Sequence, residues 1–194
     1  GLSRCKTNKE LMFINHKHKF IFIHIPKNAG TSIRNSFDIQ GYDKRVVRRR
    51  YPHYTCEEIK DYCGNKVWNT FHKVSVVRNP YERMVSYYHF HKSPQYRHPA
   101  TAQKMEFSEW LHNGLDSRLC RTQSEYLNID INQIIRYESL QEDFNLFCDN
   151  IEIPRYTLPH YNTSEHKSWE QYYTKELKEF VYGIFQVDAH QQRP

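Results

Sequence analysis

Three short stretches hold the residues able to do chemistry. "IPKNAGTS" runs from Ile25 to Ser32 and places Lys27 with Thr31 and Ser32 around a glycine, Gly30. "VVRNPYERMVSYY" runs from Val76 to Tyr88 and carries Arg78 and Ser86, with Arg83 as a possible helper. "RRRYPHYTCEEIK" carries His53 behind a run of arginines. A lysine, two hydroxyls and a residue without Cβ at the start of a helix suit an anion, because the first amides of a helix point outward and carry partial positive charge. Arg adds a charge-assisted fork for an anionic oxygen, and Ser two helical turns later adds a hydroxyl. His53 is a candidate for moving a proton near neutral pH.

A nucleoside-triphosphate loop would read G-x-x-x-x-G-K-[ST]. Here Gly30 is followed directly by Thr31, and the lysine comes three residues before the glycine. The next strand ends in Arg78, where a P-loop NTPase would hold Mg²⁺ with an Asp. A nucleotide kinase or NTPase is therefore disfavoured at two independent places.

Short apolar strands must position these residues. Phe20 to Ile25, Val74 to Val77 and Ile134 to Tyr137 lack clean alternation, as expected of strands covered on both faces of a parallel sheet. Helices alternate with them. Thr55 to Glu58 reads as a capping box, and Gly64 as the residue just past that helix. Asn79 followed by Pro80 marks a second start, and Ser139 to Glu142 a further capping box, whose helix buries Phe144, Phe147, Cys148 and Ile151. A short helix around Phe107 to Leu111 ends near Gly114. Leu177, Phe180, Val181 and Ile184 then give a last helix one apolar face. The class is α/β, and ligands of such sheets bind at the carboxyl ends of the strands. Two of the three strands end in the residues named first.

The 194 residues suit one domain spanning 1–194, without internal repeats or linkers. A net charge of +6 favours anionic partners without naming them. A basic polyanion-binding module without catalysis is the alternative from another class, but no nucleic-acid motif supports it, and no nucleic-acid partner is expected. Five cysteines without C-x-x-C spacing argue against a zinc site and favour free thiols in a reducing compartment, with one or two bridges as the secretory alternative. No apolar run approaches the ~20 residues of a membrane span, and the polar start "GLSRCKTNKE" is no signal peptide. The expected location is cytoplasmic, or the Golgi lumen if an anchor has been removed.

The pairing of the first two stretches resembles the sulfotransferases that use 3′-phosphoadenosine 5′-phosphosulfate (PAPS), in particular the branch with carbohydrate (heparan- and chondroitin-type) sulfotransferases. There "PKxxGTS" binds the 5′-phosphosulfate and "VRNPxxRxxSxY" the 3′-phosphate. "IIRYESLQEDF" is similar to that family's third strand and helix, and "LPHYNTSEH" with "YYTKELKEFVYGIFQVD" to its C-terminal segment. The likeness covers about residues 20–188.

The resemblance implies a P-loop-NTPase-like, three-layer domain, with a central parallel sheet flanked by helices. It implies sulfuryl transfer from PAPS to a hydroxyl (or amine) of an acceptor, most simply a carbohydrate, leaving 3′-phosphoadenosine 5′-phosphate (PAP), with no metal required. Lys27, Asn28, Ala29, Gly30, Thr31 and Ser32 would hold the 5′ end, with Lys27 also stabilising the departing phosphate. Arg78 and Ser86 would hold the 3′-phosphate, and Lys167, Ser168 and Tyr172 would close over the nucleotide. His53 is the implied general base; His160, Glu57 and Glu58 are its alternatives, and His24 reads as a core or supporting group. Arg45, Arg48, Arg49 and Arg50 suggest an acidic acceptor, such as a uronate-containing or sulfated glycan. Gln123 and Tyr126 in "RTQSEYL" would lie near it. Asn162 to Ser164 is a glycosylation sequon inside a loop, where a structural role is expected.

Overall fold

The computed structural model describes residues 13–39, 53–93, 104–115, 119–159 and 167–191. Its centre is a four-stranded sheet in the order β1 (Phe13–Asn15), β2 (Phe20–Ile23), β3 (His72–Val77) and β4 (Gln133–Arg136). β2, β3 and β4 are parallel, with Phe22 opposite Val74 and Ile23 opposite Ser75, then Val76 opposite Ile135. The short edge strand β1 was not expected. It runs antiparallel to β2 through the turn 16–19, so the sheet is mostly rather than wholly parallel.

Side chains alternate across a strand; both faces of β2 are apolar, whereas β3 carries buried Lys73 and Ser75 on one face. Phe20, Phe22, Val74 and Val76 face one side. They pack with Ile33 and Phe37 of α1 (Gly30–Ile39) and with Phe144 and Phe147 of α6 (Leu140–Asn150). Ile21 and Ile23 face the other side, against Cys56, Ile59 and Trp68 of α2 (Cys56–Thr70). Helices thus cover both faces, which is the expected α/β layering. A third cluster joins α3 (Pro80–Lys92), α4 (Phe107–Asn113) and α7 (Lys175–Gln191) around Met84, Trp110 and Phe185. A one-turn helix, α5 (Gln123–Tyr126), precedes β4.

Local signals set most helix starts. Thr55 and Glu58 form the expected capping box, and Asn79 accepts a hydrogen bond from the Tyr81 amide with Pro80 in the first helical position. Gly64, at φ 79°, stands just past the first helical stretch of α2 as expected, and a second stretch then carries the helix on to Thr70. Three expectations need correction. The third strand is not covered on both faces: Ile134 is 46% exposed and only Ile135 of β4 is buried. Ser139 makes no capping hydrogen bond, because a 3-10 turn (Tyr137–Ser139) feeds α6 directly. Phe180 lies outward beside His112, and Phe185 takes its place in the core after a non-helical step at Phe185 itself. Among the described residues no helix is long and apolar enough to cross a membrane.

Phe37 is fully buried and meets Phe20, Phe147, Phe144 and Tyr156. Phe37→Ala should therefore cost about 3–5 kcal/mol, read as a lower urea midpoint at unchanged slope.

Candidate functional site

The carboxyl ends of the three parallel strands converge. After β2 the chain turns through Pro26 and Lys27 into α1, after β3 it reaches Arg78, and after β4 it reaches Tyr137. Arg78 is buried, at 5% exposure, and its Nη1 donates to the Lys27 carbonyl at 3.0 Å. Nη2 pairs with Glu82 at 3.1 Å, and the guanidinium lies 3.8 Å from the centre of the Tyr137 ring. Its Nε is buried with no partner among the described residues. The lysine loop and the arginine thus touch at neighbouring strand ends.

Backbone shape in the loop is unusual. Lys27 (φ 67°) and Ala29 (φ 54°) both occupy the left-handed region, at a cost of about 1 kcal/mol or more each. The first helical hydrogen bond is Ile33 N–H to the Ala29 carbonyl, so the Gly30 and Thr31 amides stand ahead of the intrahelical ladder. The Asn28 side chain turns inward, donating to the Val76 carbonyl at 2.8 Å and to Gln123 Oε1 at 2.6 Å. Only its backbone is left for an anion.

Lys27 Nζ sits 4.3 Å over the Phe90 ring. Burial, with the Arg78 charge behind it, lowers its pKa to about 8. Folding therefore disfavours the protonated amine, and this penalty disappears as pH rises from about 8 through the unfolded value of 10.5. An anion entering the loop relieves the same penalty at neutral pH.

His53 packs against His24, the residue that leads from β2 towards the loop. Its Nδ1 lies 3.0 Å from the His24 carbonyl, and its ring packs edge-on against the His24 ring at 4.6 Å. A carbonyl can only accept, so Nδ1 carries the proton and the neutral ring has its lone pair on Nε2. Burial lowers the His53 pKa, partly offset by that hydrogen bond, and the Arg83 charge lowers it further. His24 is held well below its ordinary value by burial, with His53 and Arg34 adding to it. Arg83 is wholly buried on α3. Its Nε donates to the Pro26 carbonyl at 3.2 Å and its Nη1 to the Arg121 carbonyl at 3.2 Å.

The remaining expected residues divide. Ser86 is buried on α3, two turns beyond Arg78. Lys167 and Ser168 are exposed at the start of the turn Trp169–Tyr172, where Trp169 stacks on Tyr81 and Tyr172 contacts His89; the Ser168 hydroxyl bonds Glu170. Gln123 does not line an open acceptor surface. It is buried at 1% exposure, and its amide is taken up by Asn28 and Arg78. Tyr126 is buried beside Arg121. Glu58 accepts from the Thr55 amide and Glu57 from the Asn128 side chain. Arg45, Arg48, Arg49, Arg50, His160 and the 162–164 sequon lie outside the described residues. Tyr137, Glu82, Phe90 and Asp188 were missed. Only Glu82, four residues after Arg78, carried a sequence signal, that of an i,i+4 ion pair.

The model of the sulfotransferase family matches residues 10–190, nearly the whole chain. The chain belongs to this family, and it is accordingly a PAPS-dependent transferase. No curated protein and no solved structure matches it significantly.

A Cβ on Gly30 would stand 2.0 Å from His24 Nε2. Gly30→Ala should lower stability by about 1–3 kcal/mol through that overlap. The double variant with His24→Ala should recover most of the loss, as measured by thermal melting.

Proposed function

We propose that the protein moves the sulfuryl group of PAPS to a hydroxyl of a carbohydrate acceptor, with His53 as general base. One observation carries this reading: the 3.0 Å contact between Arg78 and the Lys27 carbonyl, which sets the two anion cradles edge to edge at neighbouring strand ends. A nucleotide bearing phosphate at both its 5′ and 3′ positions needs two such cradles, and a simple anion needs one.

In this reading Gly30, Thr31 and Ser32 direct amides and hydroxyls at the 5′-phosphosulfate. Arg78 offers its remaining N–H groups to the 3′-phosphate, with Ser86 on the same helix. His53 Nε2 accepts the acceptor's hydroxyl proton as that oxygen bonds to sulfur. The bond from sulfur to the phosphate oxygen breaks, and Lys27 stabilises the charge gathering there. The basic run Arg48 to Arg50 suits an acidic glycan, and Lys167 and Ser168 suit the outer edge of the nucleotide. The donor is PAPS and the product PAP, with no metal in these steps.

Thermal melting without added metal tests the donor. PAP should raise the melting temperature clearly more than AMP at equal concentration; equal shifts would remove Arg78 and Ser86 from the site.

The pH profile tests the chemistry. The base must be neutral and Lys27 charged. The kcat/KM profile should therefore rise with pH through a value below 6.5 and fall again near 8. Lys27→Arg should abolish the alkaline fall, because a guanidinium stays charged. His53→Ala should lose turnover by about 10²-fold or more while PAP still binds, and undiminished turnover would move the base elsewhere.

A further inference from the structure

The hydrogen-bonded ladder between β2 and β3 ends at the pair Ile23 and Ser75. Asn28 and Arg78, which belong to the two cradles, lie beyond it. The Gln123 side-chain amide spans them instead. Its Oε1 accepts from Asn28 Nδ2 at 2.6 Å and from the Arg78 amide at 2.9 Å, while its Nε2 donates to the Arg78 carbonyl at 2.8 Å. Both main-chain groups of Arg78 are therefore tied to one planar amide, which fixes the direction in which its guanidinium leaves the strand.

Gln123 is itself held. Its backbone amide donates to Asp188 Oδ2 at 2.8 Å. The Ser124 amide and hydroxyl both donate to Asp188 Oδ1 at 2.9 Å. Asp188 is 1% exposed and comes from α7, just beyond the break at Phe185. Thr122 and Glu125 cap the same turn reciprocally. A buried carboxylate with three donors is a firm anchor, and a glutamine hung from it has little freedom.

We propose that Gln123, anchored by Asp188, is a specificity-determining spacer: it sets the separation of the two anion cradles and so selects nucleotides phosphorylated at both the 5′ and 3′ positions. The proposal rests on the nucleotide reading above. A ligand held at both ends registers an error in the spacing, whereas one held only at the 5′ end is indifferent to it. That asymmetry separates a spacer from a residue that merely supports the fold.

Calorimetric affinities for PAP and AMP, on the wild-type chain and on Gln123→Ala, Gln123→Glu and Asp188→Asn, test it. Gln123→Glu keeps the acceptor toward Asn28 but sets a carboxylate oxygen against the Arg78 carbonyl. In each folded variant PAP should weaken by about tenfold or more and AMP by much less, so the PAP-to-AMP ratio collapses. Equal weakening of both ligands, or an unchanged ratio, overturns the spacer. A wild-type chain without preference for PAP would instead overturn the nucleotide reading beneath it. Hydrogen exchange on the wild-type chain needs no variant: PAP should slow exchange at the Gln123 and Ser124 amides more than AMP does, and equal slowing overturns the proposal.

Discussion

The hydrogen bond from Arg78 to the Lys27 carbonyl brings two cationic residues together at the mouth of the sheet. It is possible because the carbonyl, not the amine, faces the guanidinium. Lys27 turns its ammonium away through a left-handed backbone step and lays it over Phe90. The free site is therefore electrostatically uncomfortable: two positive groups, partly desolvated, with Glu82 as the nearby counter-ion of one of them. Such a site gains most from a ligand that brings several negative charges at once. Backbone strain at Lys27 and Ala29 belongs to the same arrangement.

The surroundings of His53 depend on close contact. Gly30 leaves room for the His24 ring, the His24 ring supports His53, and the His24 carbonyl determines which His53 nitrogen holds the proton. Arg83 ties this side to the loop by bonding the Pro26 carbonyl, and its charge adds to the burial that lowers the His53 pKa. One buried guanidinium thus acts on both position and protonation. A lysine at Arg83 could not reach two carbonyls with a planar fork.

Parts of the chain far from the chemistry also converge on it. α7 ends near Asp188, which anchors Gln123, and the turn Trp169–Tyr172 lies against the start of α3. The C-terminal third of the chain therefore acts as a brace across the strand ends.

Local chemistry made much of this legible in the sequence. The apolar strands, the Thr55 and Asn79 caps, and the lysine loop and arginine strand end all follow from short-range rules of burial, capping and charge. The same holds for the recognition that an NTPase would need residues absent here. Those rules say nothing about which buried polar group meets which across long separations. That Gln123 would turn inward to Arg78, that Tyr137 would stack on the same arginine, and that Asp188 would be buried were settled only by folding. The unmet donors at the strand ends could be satisfied only by whatever the packed helices brought within about 3 Å.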